Sequence, residues 1–178
     1  MIKELCHDEA ILSQRCEVAT VEDESVAQDL IDTIKSLDDA GCLAANQIGV
    51  TKKVCVYLDD AGEPHVLYNP RLVFGLGASK MEESCLTHEE VTKSTRYIKC
   101  KVAFDQIVDG KMKECRRDYA GFEAQMIQHM IDHCQGKLVE GDYSTALRLF
   151  WSGRDIVVMS GLLCLAPFCL VTITLART

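Results

Sequence analysis

Two histidines spaced four residues apart are the residues of this chain most suited to chemistry. His129 and His133 lie in segment 125–134, and on a helix this spacing places both imidazoles on one face, where they can bind one metal ion. A helix is predicted because apolar residues recur at helical spacing between Gly121 and Gly136. These apolar residues are Phe122, Met126, Ile127, Met130 and Ile131. Taken alone, the pair fits either a metal site or two histidines of an amphipathic helix.

Met130 departs from the usual pattern of a metal-dependent hydrolase. In the His-Glu-x-x-His arrangement, the residue after the first histidine is the glutamate that handles the proton of the metal-bound water. Met130 occupies that position here. A thioether can neither accept nor deliver a proton at that place, so the pattern predicts a metal site without its proton carrier.

Two further stretches accompany the histidines. Residues 41–49 form a Gly/Ala-rich turn that contains Gln47, and residues 82–87 read Glu-Glu-Ser-Cys-Leu-Thr. In this order the three motifs resemble the signature of the peptide deformylases, the metal-dependent enzymes that remove the formyl group from the N-terminal methionine of new bacterial proteins. The resemblance spans residues 1–139. It implies an α+β fold with antiparallel strands around a central metal-binding helix, and an N-formylmethionyl peptide or nascent chain as partner.

The resemblance also implies a role for particular residues. Cys85, His129 and His133 match the three family residues that hold the metal. Gln47 matches the glutamine that binds the developing oxyanion, and the backbone N–H of Leu86 matches a second donor to it. One divalent ion is therefore expected, with Fe²⁺ as the ion in the cell and Zn²⁺ or Ni²⁺ as alternatives, since two histidines and one cysteine suit all three.

The family pattern extends to the surroundings of the ligands. It makes Arg96 the partner of Glu83 and places Asp132 beside the metal ligands as a supporting group. The chain departs from the pattern at Ser84 and Cys42, where the family has glycine. A lost glycine matters where the backbone needs a positive φ or must approach a ligand closely.

Met130 leaves two classes of function open. The first is a deformylase whose rate is impaired, because general acid–base catalysis contributes roughly two to four powers of ten. The second is a catalytically inactive relative that binds metal and peptide. A structural zinc site without an exchangeable water is a third interpretation. The Met130 sulfur could approach the metal as a soft ligand, although packing in the core is the commoner outcome for methionine.

The elements that must position these residues are predicted from periodicity. An apolar stripe predicts a helix over 21–40, and runs of β-forming residues predict strands over 53–58, 66–68 and 97–104. The 66–68 strand is expected to end at Asn69-Pro70, and a hairpin turn is expected over 108–111. The 97–104 strand alternates, with Ile98, Cys100, Val102 and Phe104 on one face.

Composition limits the partners and the compartment. The 178 residues carry a formal charge of −8, which argues against nonspecific nucleic-acid binding. The ten cysteines form no C-x-x-C pair, so they are expected to be mostly small buried hydrophobes in a reducing cytoplasm. No signal-peptide pattern is expected at the N-terminus.

The C-terminal part has a different character. A deformylase-like domain is predicted over 1–140 and an apolar tail over 141–178, in which residues 156–176 carry no charge. Twenty-one such positions reach the length that spans a bilayer, so association with a membrane through 156–176 is one interpretation. The other is a tail packed on the domain or against another subunit. The sequence does not determine the oligomeric state.

Overall fold

The computed structural model describes residues 1–138 of the chain. This part contains three α-helices and five strands, together with 3-10 helices at Val21–Asp23 and Ala45–Ile48. The helices are α1 (Glu9–Leu12), α2 (Glu24–Ile34) and α3 (Gly121–Cys134). The strands are β1 (Cys42–Ala44), β2 (Val54–Leu58), β3 (Pro64–Cys85), β4 (His88–Val108) and β5 (Lys111–Ala120). The predicted tail over 141–178, with its segment 156–176, lies outside the described residues.

All five strands form one antiparallel sheet in the order β1-β2-β3-β4-β5. The turn between β4 and β5 is made by Asp109 and Gly110, whose φ values are 52° and 71°. Two successive positive φ angles are the mark of a type I′ turn, whose twist matches that of the strands on either side. The hairpin turn predicted over 108–111 is therefore confirmed.

The strand predicted over 66–68 does not end at Asn69-Pro70. β3 continues to Cys85, and its register with β4 shifts between Tyr68 and Arg71, where β3 has one residue more than β4. Asn69 takes the positive φ of 51° that this bulge requires, and its N–H donates to the carbonyl of Lys53 at 2.8 Å. The Asn-Pro pair thus bends the strand, and the prediction of a strand end was wrong.

The predicted helix over 21–40 is shorter in the structure. It starts with the 3-10 helix Val21–Asp23, which Thr20 caps, and α2 then ends at Ile34. Ser36 donates to the carbonyl of Thr33 through both its N–H (3.0 Å) and its hydroxyl (2.7 Å), and this replaces the next helical turn.

β2 is buried on both faces and separates two hydrophobic clusters. Val54 and Val56 pack with the buried face of α2, whereas Cys55 and Tyr57 pack with α3. Successive side chains of a strand point to opposite faces, which explains why this strand is apolar throughout. The cluster on the α3 side also contains Cys100, so Cys55 and Cys100 are buried as expected.

The architecture is an α+β fold, as expected, with α3 packed against one face of the antiparallel sheet. Cys100, Val102 and Phe104 of β4 are buried under α3, but Ile98 is 46% exposed, so the apolar face of this strand is shorter than the sequence suggests. No helix within residues 1–138 is both long and apolar enough to cross a membrane.

Candidate metal centre

Three side chains from β3 and α3 bring their donor atoms together. Cys85 is the last residue of β3, and His129 and His133 lie one turn apart on α3. The Cys85 Sγ is 3.4 Å from Nε2 of His133, and the two Nε2 atoms are 3.2 Å apart. All three donor atoms lie within 4.8 Å of one another, and they form the one such cluster of His, Cys, Asp or Glu donors found among the described residues.

This donor set fits a divalent metal ion. With metal–nitrogen bonds of about 2.0 Å and a metal–sulfur bond of about 2.3 Å, tetrahedral geometry requires donor separations of about 3.3–3.6 Å. The separations between His133 and its two neighbours are close to this range. Both histidines are buried, with exposed fractions of 6% for His129 and 1% for His133, so their positions are set by packing.

The charges at the site favour a thiolate. Burial raises the pKa of the Cys85 thiol, but hydrogen bonds to His129 and His133 outweigh this effect and lower the pKa to about 5. Burial lowers the pKa of His129, whereas its hydrogen bonds to Cys85 and Glu83 raise the pKa to about 9. A cation is thus stabilised among these groups, and a metal ion competes with protons for the same donor atoms.

A buried network of charges supports His129. Glu83 accepts from Arg96 through both carboxylate oxygens, at 2.6 and 2.8 Å, and its Oε2 is 3.3 Å from Nδ1 of His129. Arg96 also donates to Asp132. Burial raises the pKa of Glu83, but the hydrogen bonds from His129 and Arg96 lower it to about 2. The carboxylate accepts the Nδ1 proton of His129, so a metal can replace the other imidazole proton at Nε2.

The structure thus contains the Glu83–Arg96 pair that the resemblance implied. It also places Asp132 beside this pair, 25% exposed at its side chain and bonded to Arg96. A single arginine therefore pairs with two carboxylates next to the α3 histidines.

Gln47 points its amide nitrogen into the site. Its Oε1 accepts from the N–H of Ala44 at 2.9 Å, which fixes the orientation of the carboxamide. The Nε2 then lies 3.5 Å from the Cys85 Sγ and 3.3 Å from the hydroxyl of Thr87. Gly49 ends this turn with a φ of 80°, a conformation that glycine adopts without strain.

A cleft of about 320 Å³ opens beside the three donors. Its volume is of the size that binds small ligands and short peptide segments. The lining includes Gln47, Cys85 and His129 together with Leu86, Met126 and Met130, so the expected second oxyanion donor, Leu86, lies at the cleft. Cys42 and Ser84, which stand where the family has glycine, line it as well.

Met130 lines the cleft and is nevertheless almost fully buried. It is 1% exposed and packs in the hydrophobic cluster with Ile127 and Ile131. Glu83 lines the same cleft, but it is already bonded to Arg96 and His129. No described carboxylate in direct hydrogen-bond contact with the donor atoms replaces the missing glutamate.

Several residues at the cleft were missed or misjudged in the sequence. Asp39, Glu82 and Gln125 line its mouth, and Glu82 is 3.4 Å from the ammonium of Lys93. Phe122 belongs to the predicted apolar stripe of α3 yet is 70% exposed, because the first turn of the helix borders the cleft. No periodic signal distinguishes such rim residues from core residues.

Comparison with known proteins agrees with this geometry. The family described as polypeptide deformylase matches residues 2–145. Peptide deformylase of Clostridium beijerinckii is 36% identical over 141 residues, which cover 78% of this chain and 100% of that protein. Peptide deformylase 3 of Shewanella oneidensis is 39% identical over 121 residues, which cover 66% of this chain and 72% of that protein.

Solved structures resemble the fold. A peptide deformylase from Legionella pneumophila, 29% identical, superposes with a TM-score of 0.68 over 78% of this chain and 84% of that one. The peptide deformylase from Thermus thermophilus, 22% identical, also gives a TM-score of 0.68, over 78% and 83% of the two chains. The sequence match and the shared fold lead to one conclusion: this chain belongs to the polypeptide deformylase family.

Proposed function

We propose that this protein is a metal-dependent hydrolase that removes the formyl group from N-formylmethionyl peptides at a rate reduced by the loss of the family glutamate. The observation that carries the proposal is the convergence of Cys85, His129 and His133 with the amide of Gln47 beside one cleft. The family to which the chain belongs is metal-dependent and acts on such peptides. The three donors would hold one divalent ion, Fe²⁺ in the cell or Zn²⁺ or Ni²⁺.

Each residue of the chain then has a defined task. A bound divalent ion would act as a Lewis acid and would lower the pKa of a water molecule to a value near neutral pH. Gln47 donates a hydrogen bond from Nε2 to the formyl oxygen, and Leu86 donates a second one from its backbone N–H. Both stabilise the negative charge that develops on this oxygen. Glu83 keeps the proton of His129 on Nδ1, and Arg96 neutralises the charge of Glu83. The apolar walls at Met126 and Met130 suit the side chain of a methionine.

Proton transfer to the leaving amine is the step for which the chain lacks a residue. A carboxylate at position 130 would carry the proton from the attacking water to the amine, and Met130 has no titratable group. We therefore expect a rate two to four powers of ten below that of a relative with the glutamate, roughly the contribution of general acid–base catalysis.

A metal- and peptide-binding module without turnover is the second candidate. It is favoured by the burial of Met130, which is 1% exposed, and by the full engagement of Glu83 with Arg96 and His129. Both candidates require a bound metal and a peptide groove. They differ in turnover alone.

The test is hydrolysis of a formyl-Met peptide by protein purified without oxygen and assayed for metal. The parent is compared with Met130→Glu and with Met130→Gln, whose side chain has nearly the same size as glutamate but does not titrate. We expect Met130→Glu to exceed the parent by at least 100-fold, with Met130→Gln at the parent's rate and equal metal content in all three.

Three results separate the interpretations. A parent that is slow but faster than its metal-free form supports the impaired deformylase. A parent that binds the peptide without measurable turnover supports the binding module. If the parent already matches Met130→Glu, the account of Met130 is wrong.

The remaining predictions concern the whole chain. A cytoplasmic location is proposed from the cysteine content, ten residues in all. The division into a domain over 1–140 and a tail over 141–178, and the association of 156–176 with a membrane, stay predictions from the sequence. Fractionation of cells that express the full chain would test the last of these.

A further inference from the structure

Asn46 is a buried polar residue next to the metal centre whose role the proposed reaction leaves open. It is 0% exposed and lies in the 3-10 helix Ala45–Ile48, directly before Gln47. Its Nδ2 donates to the carbonyl of Leu12 and to the carbonyl of His133, both at 3.1 Å. One carboxamide thus joins α1, the turn that carries Gln47, and the end of α3.

The contact with His133 falls where a helix needs outside support. The carbonyls in the last turn of a helix lack intrahelical donors and must find partners elsewhere. The His133 carbonyl accepts from the N–H of Gly136 at 3.0 Å and from Asn46, and the thiol of Cys16 lies 3.8 Å away. Because this carbonyl and the imidazole belong to one residue, the contact restrains the point from which the ring projects.

The side chains of Asn46 and His133 each contain one buried polar atom that is not hydrogen-bonded. Among residues 1–138, the Oδ1 of Asn46 and the Nδ1 of His133 are both buried and have no hydrogen-bond partner. The corresponding nitrogen of His129 has Glu83 at 3.3 Å. A histidine that offers Nε2 to a metal carries its proton on Nδ1, so the two α3 histidines differ in whether a side chain holds that nitrogen in place.

We propose that Asn46 is a positioning residue for His133, holding its backbone through Nδ2 so that the imidazole presents Nε2 to a metal. This inference rests on the proposed function, since it concerns the same metal site. Asn46 restrains His133 through its backbone carbonyl, whereas Glu83 contacts the ring of His129. Asn46 also links the two halves of the site, because Asn46 and Gln47 are adjacent in one buried turn.

A merely structural role would give a different result from a positioning role. If Asn46 only holds segments together, its removal lowers the free energy of unfolding and leaves the metal affinity of the folded protein unchanged. If Asn46 positions His133, the affinity falls and the geometry of the bound ion changes. Groups that orient a ligand in this way typically change metal affinity 10- to 100-fold.

The experiment measures Zn²⁺ affinity by competition with a chelator, and the absorption bands of the Co²⁺-loaded protein, for the parent and for Asn46→Ala. The matched control is Asn69→Gly. Asn69 also joins two segments, bonding to the N–H and the carbonyl of Ala19 at 2.8 and 3.0 Å, and its φ of 51° suits glycine. We expect Asn46→Ala to bind Zn²⁺ at least tenfold more weakly with shifted Co²⁺ bands, and Asn69→Gly to stay within threefold of the parent.

The outcomes distinguish this inference from the function on which it rests. A parent that binds neither ion would overturn the metal site itself. A parent that binds tightly, with Asn46→Ala equal in affinity and spectrum, would overturn the role of Asn46 alone. If Asn46→Ala does not fold, Asn46→Ser, which keeps one hydroxyl donor, is measured in its place, and the same two readouts decide.

Discussion

Arg96 is the residue on which the charges around the α3 histidines depend. Its side chain is 8% exposed and that of Glu83 is 3% exposed, so neither charge is shielded by water. A buried pair of this kind adds little net stability compared with apolar residues of the same size, but removing one partner leaves an uncompensated charge in the interior. The pair therefore serves to orient His129, and the fold depends on keeping it complete.

Replacing Arg96 by methionine should destabilise the protein strongly. We expect Arg96→Met to lower the free energy of unfolding by about 3–5 kcal/mol, because Glu83 would remain buried without its arginine partner. The control is Arg71→Met, which removes an exposed pair with Glu114 and should leave the free energy of unfolding nearly unchanged. Urea unfolding curves measure both values. If both substitutions changed the free energy of unfolding equally, the burial of the Arg96–Glu83 pair would have no consequence for stability.

At the scale of elements, two glycines end the two segments that carry the site. Gly49 follows the 3-10 helix of Gln47 with a φ of 80°, and Gly136 follows α3 with a φ of 69°. Their surroundings differ. A Cβ at Gly49 would meet no heavy atom within 4 Å, whereas a Cβ at Gly136 would lie 2.4 Å from the carbonyl oxygen of Ser13. The end of α3 is therefore packed tightly against the residues that follow α1.

Substitution of these two glycines by alanine should separate strain from packing. We expect Gly49→Ala to cost about 1–2 kcal/mol, the penalty for a left-handed conformation in a residue with a Cβ. Gly136→Ala should cost clearly more, since the chain after α1 must also move away from the end of α3. Chemical unfolding gives both free energies, and Zn²⁺ affinity should fall for Gly136→Ala alone. Gly136→Ala and Gly49→Ala of equal stability would contradict the packing seen at the α3 end.

At the scale of the whole molecule, the metal ligands come from parts of the chain that meet only on folding. The Cys85 and His133 donors are 48 residues apart in sequence and 3.4 Å apart in space. A metal that binds this arrangement therefore binds the folded state and not the unfolded chain. Its binding energy adds to the free energy of unfolding by mass action.

Metal removal should accordingly lower the melting temperature. At a free Zn²⁺ concentration of 100 times Kd, the free energy of unfolding should rise by about 2.7 kcal/mol, which shifts Tm by about 5–10 °C for a chain of this size. Thermal unfolding with Zn²⁺ and with a chelator measures the difference. In the variant Cys85→Ser, Tm should depend much less on Zn²⁺, because a hydroxyl replaces the thiolate. A parent whose Tm is the same in zinc and in chelator would argue against the site.

Features that depend on neighbouring residues could be predicted from the sequence. Helix α3, the turn at Asp109-Gly110 and the apolar run of β2 follow from local periodicity and turn chemistry, and the structure contains all three. The three motifs, read in order, indicated the family and hence the fold. The pairing of Glu83 with Arg96 came from the same resemblance.

Features that depend on contacts between distant segments could not be predicted, because these contacts exist only in the folded chain. β3 runs past Asn69 because a bulge against β4 absorbs the extra residue, which no local pattern reveals. Phe122 is exposed although it shares the stripe of α3, since helical spacing defines a face but not how far the sheet beneath it extends. Asn46 reads as part of a turn, and its contact with His133, 87 residues away, exists only once α1, the turn and α3 have packed together.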